Sequence, residues 1–174
     1  MRIPHGLSAF PITPCGAAGG VDGAALATIL ERLCAARVDS IGLLGSTGTY
    51  AYLSPEVRKQ VAELACDIVS NRAPLLIGVG ALRTDNAVEL ARHAAELGAT
   101  GLFMAMPSYT PLTEREIVAH YQAVAEATDL PLCLYNNPPA THVKFSPDLL
   151  DALVALPNVT GAKMPFPVEG DFAA

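Results

Sequence analysis

Three short stretches carry side chains able to do chemistry: GSTGT at 45–49, YNNPP at 135–139, and VTGAK, which ends on Lys163. A free lysine amine titrates near pH 10.4 and is almost wholly protonated at neutral pH. Desolvation among apolar neighbours lowers that value and yields a nucleophile able to attack a ketone and form a Schiff base. The small and apolar residues around Lys163 in VTGAKMP offer such surroundings, although a lysine at a strand end also snorkels readily to the rim. Tyr135 can pass protons as a phenol, or simply pack and hydrogen-bond. In GSTGT, glycines flank Ser46 and Thr47, and such a turn can aim N–H groups and hydroxyls at a carboxylate or phosphate. It lacks the lysine of a phosphate-binding P-loop and the spacing of a dinucleotide fingerprint, and glycine suits any tight turn. His5, His93, His120 and His142 are scattered without metal-ligand spacing, and Cys15, Cys34, Cys66 and Cys133 form no C-x-x-C. No metal site, Ser/His/Asp triad or carboxylate pair can be drawn from the sequence.

The elements that must position these groups alternate. Apolar runs at 6–12, 40–45, 74–79, 100–105, 131–135 and 159–163 read as buried strands, and helical periods lie between them. Val57, Val61, Leu64 and Ile68 share one helical face, as do Leu26, Ile29, Leu30 and Leu33. SPE at 54–56 and SPD at 146–148 are helix starts, each a serine N-cap followed by proline and an acid. TERE at 113–116 is a capping box, and Gly98 is a helix stop. Strand starts recur about every thirty residues, the length of a β/α unit. The pattern predicts five strand–helix units and a sixth strand, all parallel.

An open doubly wound sheet is complete at 174 residues, whereas a (β/α)8 barrel needs about 250. Length therefore favours the open sheet, but three strand ends delivering hydroxyls, a phenol and an amine to one rim favour the barrel. The chain is 51% hydrophobic and 16% charged, as expected of strands buried on both faces. A net charge of −6 without any Lys/Arg cluster argues against nucleic acid or an anionic membrane as partner. The proline-broken start MRIPHGLSAFPITPCG lacks the unbroken apolar core expected of a signal peptide, and no run of eighteen apolar residues exists for a membrane span. A cytoplasmic location is expected.

Taken together and in order, GSTGT, GVGALRT, YNNP and GAK, with GLSAFPITP ahead of them, resemble the dihydrodipicolinate synthase and N-acetylneuraminate lyase family of pyruvate-dependent Schiff-base aldolases. The resemblance covers essentially the whole chain. It implies an α/β fold of the (β/α)8 TIM-barrel type, of which residues 1–174 would form a single partial domain with strands one to six. It also implies that Lys163 forms an imine with pyruvate or another 2-keto acid. Ser46, Thr47 and Gly48 would hold the substrate carboxylate, and Tyr135 would shuttle protons. Tyr109, in MPSYTP, would reach across a subunit contact to join Ser46 and Tyr135 in a hydroxyl relay. The second substrate would be an aldehyde, no metal or organic cofactor would be needed, and the enzyme would be a homo-oligomer.

Some positions depart from the family pattern. Thr49 stands where an acid is usual, and Met164 also replaces an acid. Ala140 replaces the arginine that clamps the second substrate's carboxylate in the synthases, which points to a different aldehyde or 2-keto acid. Eleven residues follow Lys163, where relatives run on through two further strands. Residues 164–174 are therefore expected to be largely irregular and the barrel cut, with an open edge that needs a partner. A truncated, non-catalytic paralogue that binds a partner chain is the alternative, and an open-sheet anion binder using GSTGT is a third reading.

Overall fold

The computed structural model describes residues 4–165. In chain order the elements are β1 (Ser8–Ala9), α1 (Gly23–Ala35), β2 (Ser40–Leu43), α2 (Pro55–Val69), β3 (Leu75–Gly78), α3 (Thr84–Glu96) and β4 (Gly101–Met104). There follow α4 (Glu114–Ala125), β5 (Leu132–Tyr135), the short α5 (Pro138–Thr141), α6 (Pro147–Val154) and β6 (Val159–Lys163). The helices start where side chains can satisfy their free N–H groups. Ser54 accepts from Val57, Ser146 accepts from Leu149, and Thr113 and Glu116 form the reciprocal capping box.

The six strands of the described residues are all parallel, and their order in the sheet is their order in the chain. A doubly wound sheet reverses direction at a switch point, whereas a barrel never does. The preference for an open sheet that length suggested is thereby overturned. Curvature agrees with topology. In a flat sheet β2 and β5 would stand about 14 Å apart, three strand spacings. Yet Ser46, just after β2, and Tyr135, on β5, meet at 3.5 Å. Likewise Phe10, after β1, and Phe103, on β4, stack edge to face with centroids 5.5 Å apart.

The strands alternate between two layers. Ile41, Leu43, Leu75, Ile77, Leu102, Met104, Leu132 and Leu134 face the helices, and consecutive helices pack on one another around the outside. Leu76, Phe103 and Cys133 point the other way, into a separate cluster that Phe10 and Tyr135 extend. This is the inner face, where the candidate site lies. The expected first strand, 6–12, is paired only over Ser8–Ala9. Beyond it Phe10 turns its ring inward over Gly42, where an added Cβ would lie 2.4 Å from the ring. Of the stretch expected to be irregular, Met164 and Pro165 lie outside any element, and residues 166–174 lie outside the described residues.

Candidate active site

Lys163 reaches the inner face through an irregularity in β6. Val159 sits opposite Leu132 and packs with it in the outer layer, so in a regular strand Lys163, four residues on, would also face outward. The register shifts between Leu132 and Cys133, and Gly161 rather than Thr160 opposes Cys133. That one extra residue inverts the alternation, as a β-bulge does. Lys163 then pairs with Tyr135, and its Nζ lies 3.8 Å from the centre of the Tyr135 ring and 5.3 Å from that of Phe10. Ring faces attract an ammonium, and they would equally attract an iminium. Beneath the amine sits Cys133, whose thiol is pushed up by burial and partly drawn back by the Lys163 backbone and charge.

The Tyr135 hydroxyl meets two groups. Ser46 Oγ lies 3.5 Å away, and the Asn137 side-chain amide donates both to Tyr135 Oη, at 3.3 Å, and to Ser46 Oγ, at 3.2 Å. Ser46 is presented by a turn that begins with strained backbone. Leu44 is buried yet has φ +61°, a left-handed conformation rare for a bulky residue. This turns its carbonyl onto Gly78, where an added Cβ would lie 2.2 Å from the oxygen. The chain then folds through Gly45–Thr49, closed by Thr49 N–H donating to the Ser46 carbonyl at 3.0 Å. Ser46 and Thr47 are exposed, while Gly48 is buried over Thr13. The N–H groups of Ser46, Thr47 and Gly48 donate to no backbone carbonyl among the described residues. A carboxylate can therefore be received there by backbone and hydroxyl together.

The neighbouring strand end is held by a buried cation. Arg58, 4% exposed, donates to the carbonyls of Gly80 at 2.9 Å and Gly78 at 2.8 Å. Burial pushes its guanidinium down to about 10, against the opposing pull of Tyr50.

The structure thus brings together Lys163, Tyr135 and Ser46, with Thr47 and Gly48 in the adjoining turn. Tyr109 is not among them. It is 95% exposed on the loop after β4 and bonds to neither Ser46 nor Tyr135 in this chain. Phe10 and Asn137 escaped sequence reasoning as site residues. The second asparagine of YNNPP, a polar side chain just past a strand end, was the available signal. For Phe10 the local sequence held none, because its role depends on the gap at Gly42. Among the described residues no three His, Cys, Asp or Glu gather as a metal site, and no helix is long and apolar enough to cross a membrane.

Comparison with known proteins returns one family model, described as the dihydrodipicolinate synthetase family, which matches residues 3–167. Dihydrodipicolinate synthase from Agrobacterium tumefaciens superposes with a TM-score of 0.92 at 52% identity, covering 94% of this chain and 55% of that one. The chloride-inhibited dihydrodipicolinate synthase from Acinetobacter baumannii, solved in complex with pyruvate, gives 0.86 at 35% identity, covering 92% and 55%. N-acetylneuraminate lyase from Mycoplasma synoviae gives 0.81 at 28% identity, covering 91% and 54%. The chain spans about half the length of the curated relatives it matches.

Proposed function

The chain belongs to the dihydrodipicolinate synthetase family, and from that premise we propose that it carries the imine-forming half of a Schiff-base lyase or synthase acting on pyruvate or another 2-keto acid. Lys163 is the nucleophile. Its neutral Nζ attacks the keto carbon, and the former carbonyl oxygen takes up two protons and leaves as water, giving an iminium. Loss of a proton from the adjacent carbon sends that C–H electron pair into the new C=C bond, and the C=N pair returns to nitrogen as an enamine. The enamine carbon attacks an aldehyde, whose oxygen takes a proton, and water then releases the lysine; run backwards, the same steps cleave an aldol. Tyr135 and Ser46 carry the protons, joined by Tyr109 of a neighbouring subunit in a homo-oligomer. The GSTGT turn, through Ser46, Thr47 and Gly48, binds the carboxylate.

The observation that carries this reading is the convergence of Lys163 Nζ on the Tyr135 ring, with the Tyr135 hydroxyl in contact with Ser46 from across the sheet. Ala140 is exposed, three residues after Asn137 in α5, and offers no cation, so the aldehyde is one that needs no arginine clamp from this position for a second carboxylate. The four cysteines are all free, in keeping with a cytoplasmic setting. The test is borohydride reduction in the presence of pyruvate, followed by peptide mass analysis. A stable adduct on the Lys163 peptide, absent in Lys163→Met, is expected. No adduct with pyruvate or any of a panel of 2-keto acids overturns the proposal.

A second reading draws on β6. Among the described residues it pairs only with β5, and its residues alternate between half-buried and exposed, whereas β2, β3 and β4 are buried throughout. Such an edge suits a partner strand, as a non-catalytic paralogue that binds another chain would require.

A further inference from the structure

We infer that Asn137 is a positioning residue for the Tyr135–Ser46 proton path, an inference that rests on the Schiff-base reading above. Asn137 stands at the N-cap of α5, where asparagine ordinarily turns its side chain back onto the helix. Here it makes no capping bond. Its backbone carbonyl instead serves the helix, accepting from the N–H groups of Ala140 and Thr141 at 3.0 Å each and from the Thr141 hydroxyl at 2.9 Å. The side chain is thereby released toward the site, and its Nδ2 donates to both Ser46 Oγ and Tyr135 Oη.

The chemistry of that placement follows from the donor inventory. An amide nitrogen has two hydrogens and cannot accept, so neither hydroxyl can point its own hydrogen at Asn137. Each oxygen accepts one bond from the amide. Its own hydrogen is left for the other hydroxyl or for a bound substrate. Two freely rotating O–H groups, 3.5 Å apart, are reduced to orientations that lead along the proton path or toward substrate. A proton passed between them then meets an aligned acceptor, which is where acid–base efficiency comes from. An apolar residue of the same size would fill the space but leave both rotors free. A carboxylate of the same shape would accept both hydrogens and take them out of the path.

The experiment compares Asn137→Leu and Asn137→Asp with the wild type in the full chain. It measures exchange of the pyruvate methyl protons with deuterated water by NMR, alongside borohydride trapping at saturating pyruvate and the melting temperature. The expected result is a fall of about tenfold or more in the maximal exchange rate in both variants. The pyruvate KM, the final extent of trapping and the melting temperature stay close to wild type. The Asp variant should also regain exchange as pH falls toward the ordinary aspartate range near 3.9, where its carboxyl becomes a donor again, and the Leu variant should not. Wild-type exchange in either variant overturns the inference, the Asp result by making shape alone sufficient. Trapping, exchange and melting temperature falling together overturn it too, since Asn137 is then a structural prop. A wild-type chain that traps no 2-keto acid overturns the Schiff-base reading and this inference with it; a wild type that traps while the variants exchange normally overturns this inference alone.

Discussion

On the outer face of the sheet, alternate residues from β2 to β5 meet the helices in one continuous apolar layer in which Leu26, Leu30, Ile41, Leu43 and Leu134 are fully buried. On the inner face the same strands contribute a small cluster, Leu76, Phe103 and Cys133, extended by the half-buried Phe10 and Tyr135. The two faces share every backbone hydrogen bond and differ only in which residue of each pair points where. The outer layer is built mainly from aliphatic side chains and carries none of the candidate site residues. The inner one carries an amine, a phenol and a thiol, and the phenol meets the exposed Ser46. The packed core and the candidate site thus lie on opposite faces of one sheet, and substitutions on the two faces should fail differently.

The largest effect is expected from Leu30→Ala. Removing a fully buried side chain of α1 should destabilise by about 2–5 kcal/mol, read as a shifted urea midpoint. The molecules that remain folded should trap pyruvate as the wild type does, and a selective loss of trapping would break the division between the faces. Gly42→Ala probes the inner layer. The new methyl would lie 2.4 Å from the Phe10 ring, which must swing away from Lys163. The ring can yield, so the stability loss should stay within about 1–3 kcal/mol, while the trapping rate falls about tenfold. Equal trapping rates in this variant and the wild type would remove Phe10 from the site.

The smallest effect concerns pH and belongs to the outer side. His120 is buried, accepts or donates at Nδ1 to the Thr84 hydroxyl 2.8 Å away, and has its pKa lowered from 6.5 by burial. The folded state therefore disfavours the protonated ring that the unfolded chain accepts freely. Stability is unaffected above pH 6.5 and declines as pH falls below it toward the depressed folded value. The melting temperature of His120→Gln should decline less between pH 7 and 5 than that of the wild type. Identical acid limbs would show that other groups set the acid sensitivity.

Much of this was legible in the residues. The serine and threonine caps at 54, 113 and 146 act where they stand, since a cap bond spans three residues. The apolar runs became strands, and the loop of Ser46 and Thr47, Tyr135 and Lys163 did gather at one rim. Asn137 was present in the YNNPP motif, but nothing local distinguished a capping asparagine from one whose amide bridges two hydroxyls, one from the turn after β2 and one from β5. Tyr109, given a role by likeness alone, lies exposed and apart from Ser46 and Tyr135 in this chain.

What the sequence determined by itself is what short-range physics sets: which segments are helix or strand, where each helix begins, and which functional groups stand at strand ends. The tertiary structure decided the rest. Whether the sheet lies open or curls depends on strand order and on contacts such as Ser46 with Tyr135, which are 89 residues apart in the chain. Whether Lys163 faces the helices or the site depends on one extra residue in the ladder between β5 and β6. A strand's alternation is written in its own residues, but its phase against a neighbour is fixed only when the two are hydrogen-bonded together.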